Sequence, residues 1–185
     1  MSSNPRPCLA VNRSTLRWGV LAAIIALAGC GQKQIPASRP LTVLPSAVAA
    51  LSPALYMQLA GNTALFAVRA SELALARASD GGLRADARAI AQDQRGVGAQ
   101  LSYAGRRLDL LPRADLPEPM EADLARLAQS GDFDRDYRQL VGQALARALE
   151  AHETFARGGS SATLRPVAQM AAPVTRRNLD AVRRR

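Results

Sequence analysis

Cys30 has the strongest chemical claim in this chain. It closes Leu27-Ala28-Gly29-Cys30 at the end of an apolar run. A thiol set directly behind small residues suits a lipoprotein cysteine. It would take up diacylglycerol as a thioether, and the small residues would let a peptidase reach the Gly29–Cys30 bond. Arg6, Arg13 and Arg17 make a basic leader without an acidic residue, and Trp18 to Ala28 supply the apolar stretch. That stretch is about eleven residues, suited to a secretion signal but short of the roughly twenty that span a bilayer as a helix.

The remaining candidates for chemistry are few. Cys8 and Cys30 are the only cysteines, so a chain cut before Cys30 and lipidated there has no free thiol. Disulfides, thiolate metal sites and a cysteine nucleophile in the mature domain are excluded. His152 is the only histidine. A di-iron site of the ferritin kind needs two Glu-x-x-His pairs, and the residue three before His152 is Leu149. His152 is expected at the end of an apolar face, half exposed near a loop. No Gly-x-Ser-x-Gly elbow precedes a helix, and no glycine loop is built to cradle phosphate. Asp86, Asp93, Glu121, Asp123 and Glu150 fall on polar helix faces or near helix starts, which argues against paired-carboxylate hydrolysis. The reading is a non-enzyme without cofactor or metal.

Charge points outward. The chain of 185 residues has 24 Lys+Arg against 15 Asp+Glu. Removal of residues 1–29 takes three arginines with it and leaves a net +6 on 156 residues, enough for one domain with a core. Such a surface suits anionic envelope components, and few aromatic residues argue against nucleic acid. The densest positive charge is the tail Arg183-Arg184-Arg185, with Arg176 and Arg177 just before it.

The elements that must position these residues are helices. Residues 30–50 read as a lipidated cysteine and a tether, extended and mobile around Pro36, Pro40 and Pro45. The domain is residues 51–185. Ser52-Pro53 starts the first helix, which runs to about Ser79 with Tyr56, Leu59, Thr63, Phe66, Ala70 and Leu73 inward and stops at Asp80-Gly81-Gly82. The second carries Leu83, Ala87, Ile90, Gln94, Val97, Leu101, Ala104 and Leu108 at alternating steps of four and three. Gly96 and Gly98 are expected to allow either close helix contact or local flexibility beside Val97. A short helix spans about Met120 to Ala128, with Leu124 and Leu127 inward. A fourth runs from about Phe133 to Arg157, with Phe133, Tyr137, Val141, Leu145, Ala148, His152 and Phe155 inward and an Asp134–Arg138 pair on its surface. The last covers about Ala162 to Val182, with Leu164, Val167, Ala171, Val174, Asn178 and Ala181 inward and a kink expected at Pro173. No strand pattern competes. The fold is all-α, a four-helix bundle with an extra helix in the crossover.

Gly131-Asp132-Phe133-Asp134-Arg135-Asp136-Tyr137 resembles the Phe-Asp-x-x-Tyr segment, led by glycine, of a bacterial ferritin-like family. That family is the "predicted outer membrane protein" domain of unknown function numbered 4142. The resemblance covers roughly residues 50 to 183. Ile90-Ala91-Gln92-Asp93-Gln94 sits where the family carries Asp-His, and Ala172-Pro173 where it carries Leu-Pro. The family's histidines fall at Gln94, Leu145 and Asn178, and a family glutamate falls near Ala67. None of these is a ligand here.

The sequence thus implies a lipid-anchored envelope protein held through Cys30, most consistent with the outer membrane facing the periplasm, with a non-enzymatic binding or structural role. The alternative is a metal-binding or oxidative-stress protein with a degenerate polar site at Asp93, Gln94 and Asn178. Without ligands in place, Gln94 and Asn178 would pair with each other or with nearby backbone, since a buried amide must find a partner.

Overall fold

The computed structural model describes residues 51–184; the signal, Cys30, the tether and Arg185 lie outside the described residues. Among the described residues five helices follow one another: α1 Pro53–Arg77, α2 Gly81–Arg106, α3 Glu118–Ala128, α4 Phe133–Gly158 and α5 Arg165–Arg183. No strand occurs among the described residues.

α1 packs on α2 and α4, and α5 packs on the same two. The bundle is a ring in the order α1, α2, α5, α4. The start of α4 meets the corner between α1 and α2, where Asp134 accepts from Ser79 and Asp80, and its end meets the start of α1, where His152 bonds Tyr56. Helices α1 and α4 are therefore antiparallel. The order is up, down, down, up, with one long crossover, which is the ferritin-like arrangement.

Ser52 caps α1 through its side chain, with Pro53 at the first position. Gly81 and Gly82 do not close α1 as expected. α1 ends at an extended Ala78, and Asp80 instead caps α2, its carboxylate accepting from the Gly82 amide at 2.7 Å. A short N-capping side chain competes with a glycine exit for the same residues, and here the cap wins. α2 closes through Asp109 in the left-handed region at φ 56°, with the Leu110 amide donating to the Gly105 carbonyl.

The core has two parts. At the end holding the start of α1, Tyr56 stacks on Phe155 at 4.2 Å, among Met57, Val97, Leu101, Leu164 and Ala168. At the other end Phe66, Leu83, Ile90, Tyr137, Leu145 and Val182 pack with Leu124 and Leu127 of α3. Both residues expected inward on α3 are buried, as is the whole expected face of α4. In α1, Leu59 is 42 % exposed, and a row of buried alanines (Ala60, Ala64, Ala67, Ala70, Ala74) occupies the interior instead. In α5 the buried face is Leu164, Ala168, Ala171, Thr175, Asn178, Leu179 and Val182, turned from the expected stripe, so that Val167, Val174 and Ala181 are only half-buried. α5 continues through Pro173, which lies exposed together with Gln169, the residue whose carbonyl loses its helical partner.

The crossover climbs over α1 at Gly61. A Cβ built there would stand 2.9 Å from Pro112 Cβ, and one built on Gly105 would stand 2.5 Å from the Leu110 carbonyl oxygen. Both are close-approach glycines, as is Gly159 after α4, where a Cβ would stand 2.5 Å from the Phe155 ring. Gly96 and Gly98, expected either in that role or as points of flexibility, have nothing within 4 Å of such an atom.

Candidate functional site

The Phe-Asp-x-x-Tyr segment ties α4 to the α1–α2 corner, each residue by a different contact. Phe133 lies beneath the Arg77 guanidinium, 5.3 Å from ring centroid to the guanidinium carbon. Asp134 accepts from the Ser79 hydroxyl at 2.6 Å, the Ser79 amide at 3.1 Å and the Asp80 amide at 2.9 Å. Those bonds, the Ser79 hydroxyl first, hold its carboxyl below the usual range. Tyr137 shares a 2.9 Å hydrogen bond with Ser71, and burial pushes its phenol up to about 12. Arg77 also donates to the carbonyls of Leu127, Ala128 and Ser130, closing the C-terminus of α3. The expected Asp134–Arg138 surface pair is not the main contact of either residue, since Arg138 reaches Asp80 at 2.9 Å. Both are drawn toward the corner.

His152 is 1 % exposed, not half exposed. Its Nδ1 lies 3.0 Å from the Tyr56 hydroxyl. Burial lowers its pKa to about 4 and raises that of Tyr56. The phenol and the neutral imidazole share this one hydrogen bond, whose donor follows from the ring's tautomer. His152 is thus engaged inside the bundle. The sequence signal for this was its 3-4 spacing from Ala148 and Phe155.

Gln94 and Asn178 come to one level of the bundle. Each follows by one residue an Asp93–Arg177 ion pair of 3.8 Å that sets α2 against α5. Asp93 stays on that flank, while Gln94 and Asn178 are 1 % and 4 % exposed. Gln94 Nε2, Asn178 Nδ2 and the hydroxyl of buried Thr175 have no hydrogen-bond partner. The expected amide pair is therefore not formed, because it would need one of those two nitrogens as donor. Thr175 was missed, since a threonine on α5 carries no signal until the register of that helix is known. A ferritin-like di-iron centre would require carboxylates and imidazoles at this level. Two amides and a hydroxyl do not fit it, with Ala67 and Leu145 fully buried in the core. Among the described residues, no three His, Cys, Asp or Glu side chains converge to hold a metal ion.

Gln94 also lines a groove of about 230 Å³ between α1 and α2, roofed by Pro112 and Arg113 of the crossover. At the far end of α5, Arg183 and Arg184 are exposed. Arg176 and Arg177 are drawn off to Glu153 and Asp93, so the tail is less concentrated than its sequence suggests. Arg185, Gly29 and Cys30 lie outside the described residues.

The family model described as "Domain of unknown function (DUF4142)" matches residues 41–184. The chain belongs to this family. The match begins inside the stretch read as a tether and takes in all five helices of the bundle. No curated protein and no solved structure matches the chain. Among the described residues no helix is long and apolar enough to cross a membrane.

Proposed function

We propose that this family member is a lipid-anchored protein of the bacterial envelope, held through Cys30 and facing the periplasm from the outer membrane, whose bundle acts by binding rather than catalysis. The observation that carries the reading is Leu27-Ala28-Gly29-Cys30 behind a basic and apolar leader. The bundle's chemistry is compatible with it: the one histidine is occupied by Tyr56, and acids such as Glu121 and Glu153 face arginines at the surface. Acyl chains on Cys30 contribute about 0.8 kcal/mol per buried methylene, so several chains give lasting attachment. Arg183, Arg184 and Arg185 would add contacts to anionic head groups, weaker and sensitive to salt.

Fractionation of cells making the full chain tests this. The native protein should sediment with outer membranes, resist a high-salt wash and dissolve only in detergent, whereas Cys30→Ser should lose membrane attachment. Equal attachment of the two would overturn the anchor, and release by salt alone would reduce it to a charge contact.

A further inference from the structure

We propose that one end of the bundle, formed by the start of α1, the ends of α2 and α4 and the start of α5, is a docking face for an anionic lipid surface. The inference rests on the attachment through Cys30 proposed above and names the face that meets the membrane. Three observations agree on this end. Its residues, 51–57, 102–111 and 155–167, carry Arg106, Arg107, Arg157 and Arg165 against a single acid, Asp109. All four arginines are exposed, and none enters the ion pairs of the described residues. At the opposite end Arg135 and Arg138 are paired with Asp132, Asp136 and Asp80. Leu111, Tyr103 and Leu55 are the most exposed large apolar side chains among the described residues, at 62, 60 and 46 %, and all three belong to this end. Tyr103 lies beside Arg106, with 5.9 Å from ring centroid to guanidinium carbon. With Arg107 and Thr163 it also lines a cleft of about 430 Å³ between α2 and α5. Tyrosine and leucine among cations suit the head-group layer of a membrane. Finally, the chain from Cys30 joins the bundle here, at Leu51.

Helix dipoles account for only part of this charge. A cation near the end of α2 or α4 is favoured by the helix C-terminus, but Arg165 stands at the first position of α5, where a cation is disfavoured. An external anion offsets that cost. Arg183 and Arg184 lie about 27 Å away along α5. A bundle standing on this end lifts them from the head groups, so the two contacts are alternatives, and the end beside Leu51 has the shorter path to the anchor. Each arginine near an anionic surface strengthens binding about fivefold.

In the mature chain proposed above no tryptophan remains, since Trp18 leaves with the leader. Tyr103→Trp then supplies a single reporter at this end, and Leu75→Trp one near the other end, where α1 finishes. Each lipidated protein is placed on phosphatidylcholine vesicles, with or without phosphatidylglycerol, and quenching of tryptophan by brominated acyl chains is read. Tyr103→Trp should be quenched on the anionic vesicles and not on the neutral ones, and Leu75→Trp on neither. Adding Arg107→Ala and Arg165→Ala should weaken the quenched state about twentyfold. Equal quenching at the two positions, no quenching of Tyr103→Trp, or quenching lost only with Arg183→Ala and Arg184→Ala would overturn the proposal. Flotation separates the anchor from the face: native protein that floats with phosphatidylcholine vesicles is anchored whatever the quenching shows. Protein that floats with anionic vesicles alone, and ceases to with Arg107→Ala and Arg165→Ala, keeps the face without the anchor; flotation with neither overturns both.

Discussion

His152 is a neutral side chain because the ring is buried against Tyr56. Its pKa of about 4 lies below the ordinary 6.5. Between those values the unfolded chain takes up a proton that the native ring does not. Its contribution to stability is therefore intact above the ordinary value and declines as pH falls toward the native one, by up to about 3 kcal/mol. Urea unfolding at about pH 7 and about pH 4.5 should show this loss, and His152→Gln should remove most of the slope in that window. Asp134 has a lowered carboxyl and acts in a lower window: its contribution is present above 3.8 and is lost as pH falls through the native value. Its bonds to Ser79 and Asp80 resemble a helix cap, so Asp134→Ala should cost about 1–2 kcal/mol in equilibrium unfolding. The sequence showed that both residues sit at the start or along the face of α4. It could not show Tyr56 or Ser79 as their partners, because those contacts span 96 and 55 residues.

At the scale of the helices, the glycines divide by what lies over them. Gly96 is exposed in the middle of α2 with nothing within 4 Å of an added methyl. Gly96→Ala should raise stability by about 1 kcal/mol, the ordinary difference in helix propensity. Gly105→Ala gains the same propensity but drives its methyl to 2.5 Å from the Leu110 carbonyl oxygen, in the turn that closes α2. Thermal melts should show the first variant rising and the second falling. Each glycine stands beside a member of the same 3-4 stripe, Val97 or Ala104, so the pattern does not distinguish them; the returning crossover does. The same limit explains the turn at Asp80, which could be read as an exit or a cap until the ends of α1 and α2 were placed. It also explains α5, where the stripe read through Val167, Val174 and Ala181 gives way to one that buries Thr175 and Leu179. Strong periods in α2 and α4 were legible because most of their large apolar residues fall on one side, Tyr103 being an exposed exception.

On the scale of the whole molecule, the helices were legible from their caps and periods. The ring order was not, since it depends on the crossover passing over α1 at Gly61. The interior joins two apolar ends around a polar level at Gln94, Thr175 and Asn178. Among the described residues no helix is long and apolar enough to cross a membrane; the proposed attachment is through Cys30. The most direct measurement is the mass of the peptide containing Cys30, taken from the detergent-extracted protein. The expected result is a chain that begins at Cys30 and carries a thioether-linked diacylglycerol. An unmodified cysteine, or a peptide running uncut from Leu27 through Gly31, would contradict it.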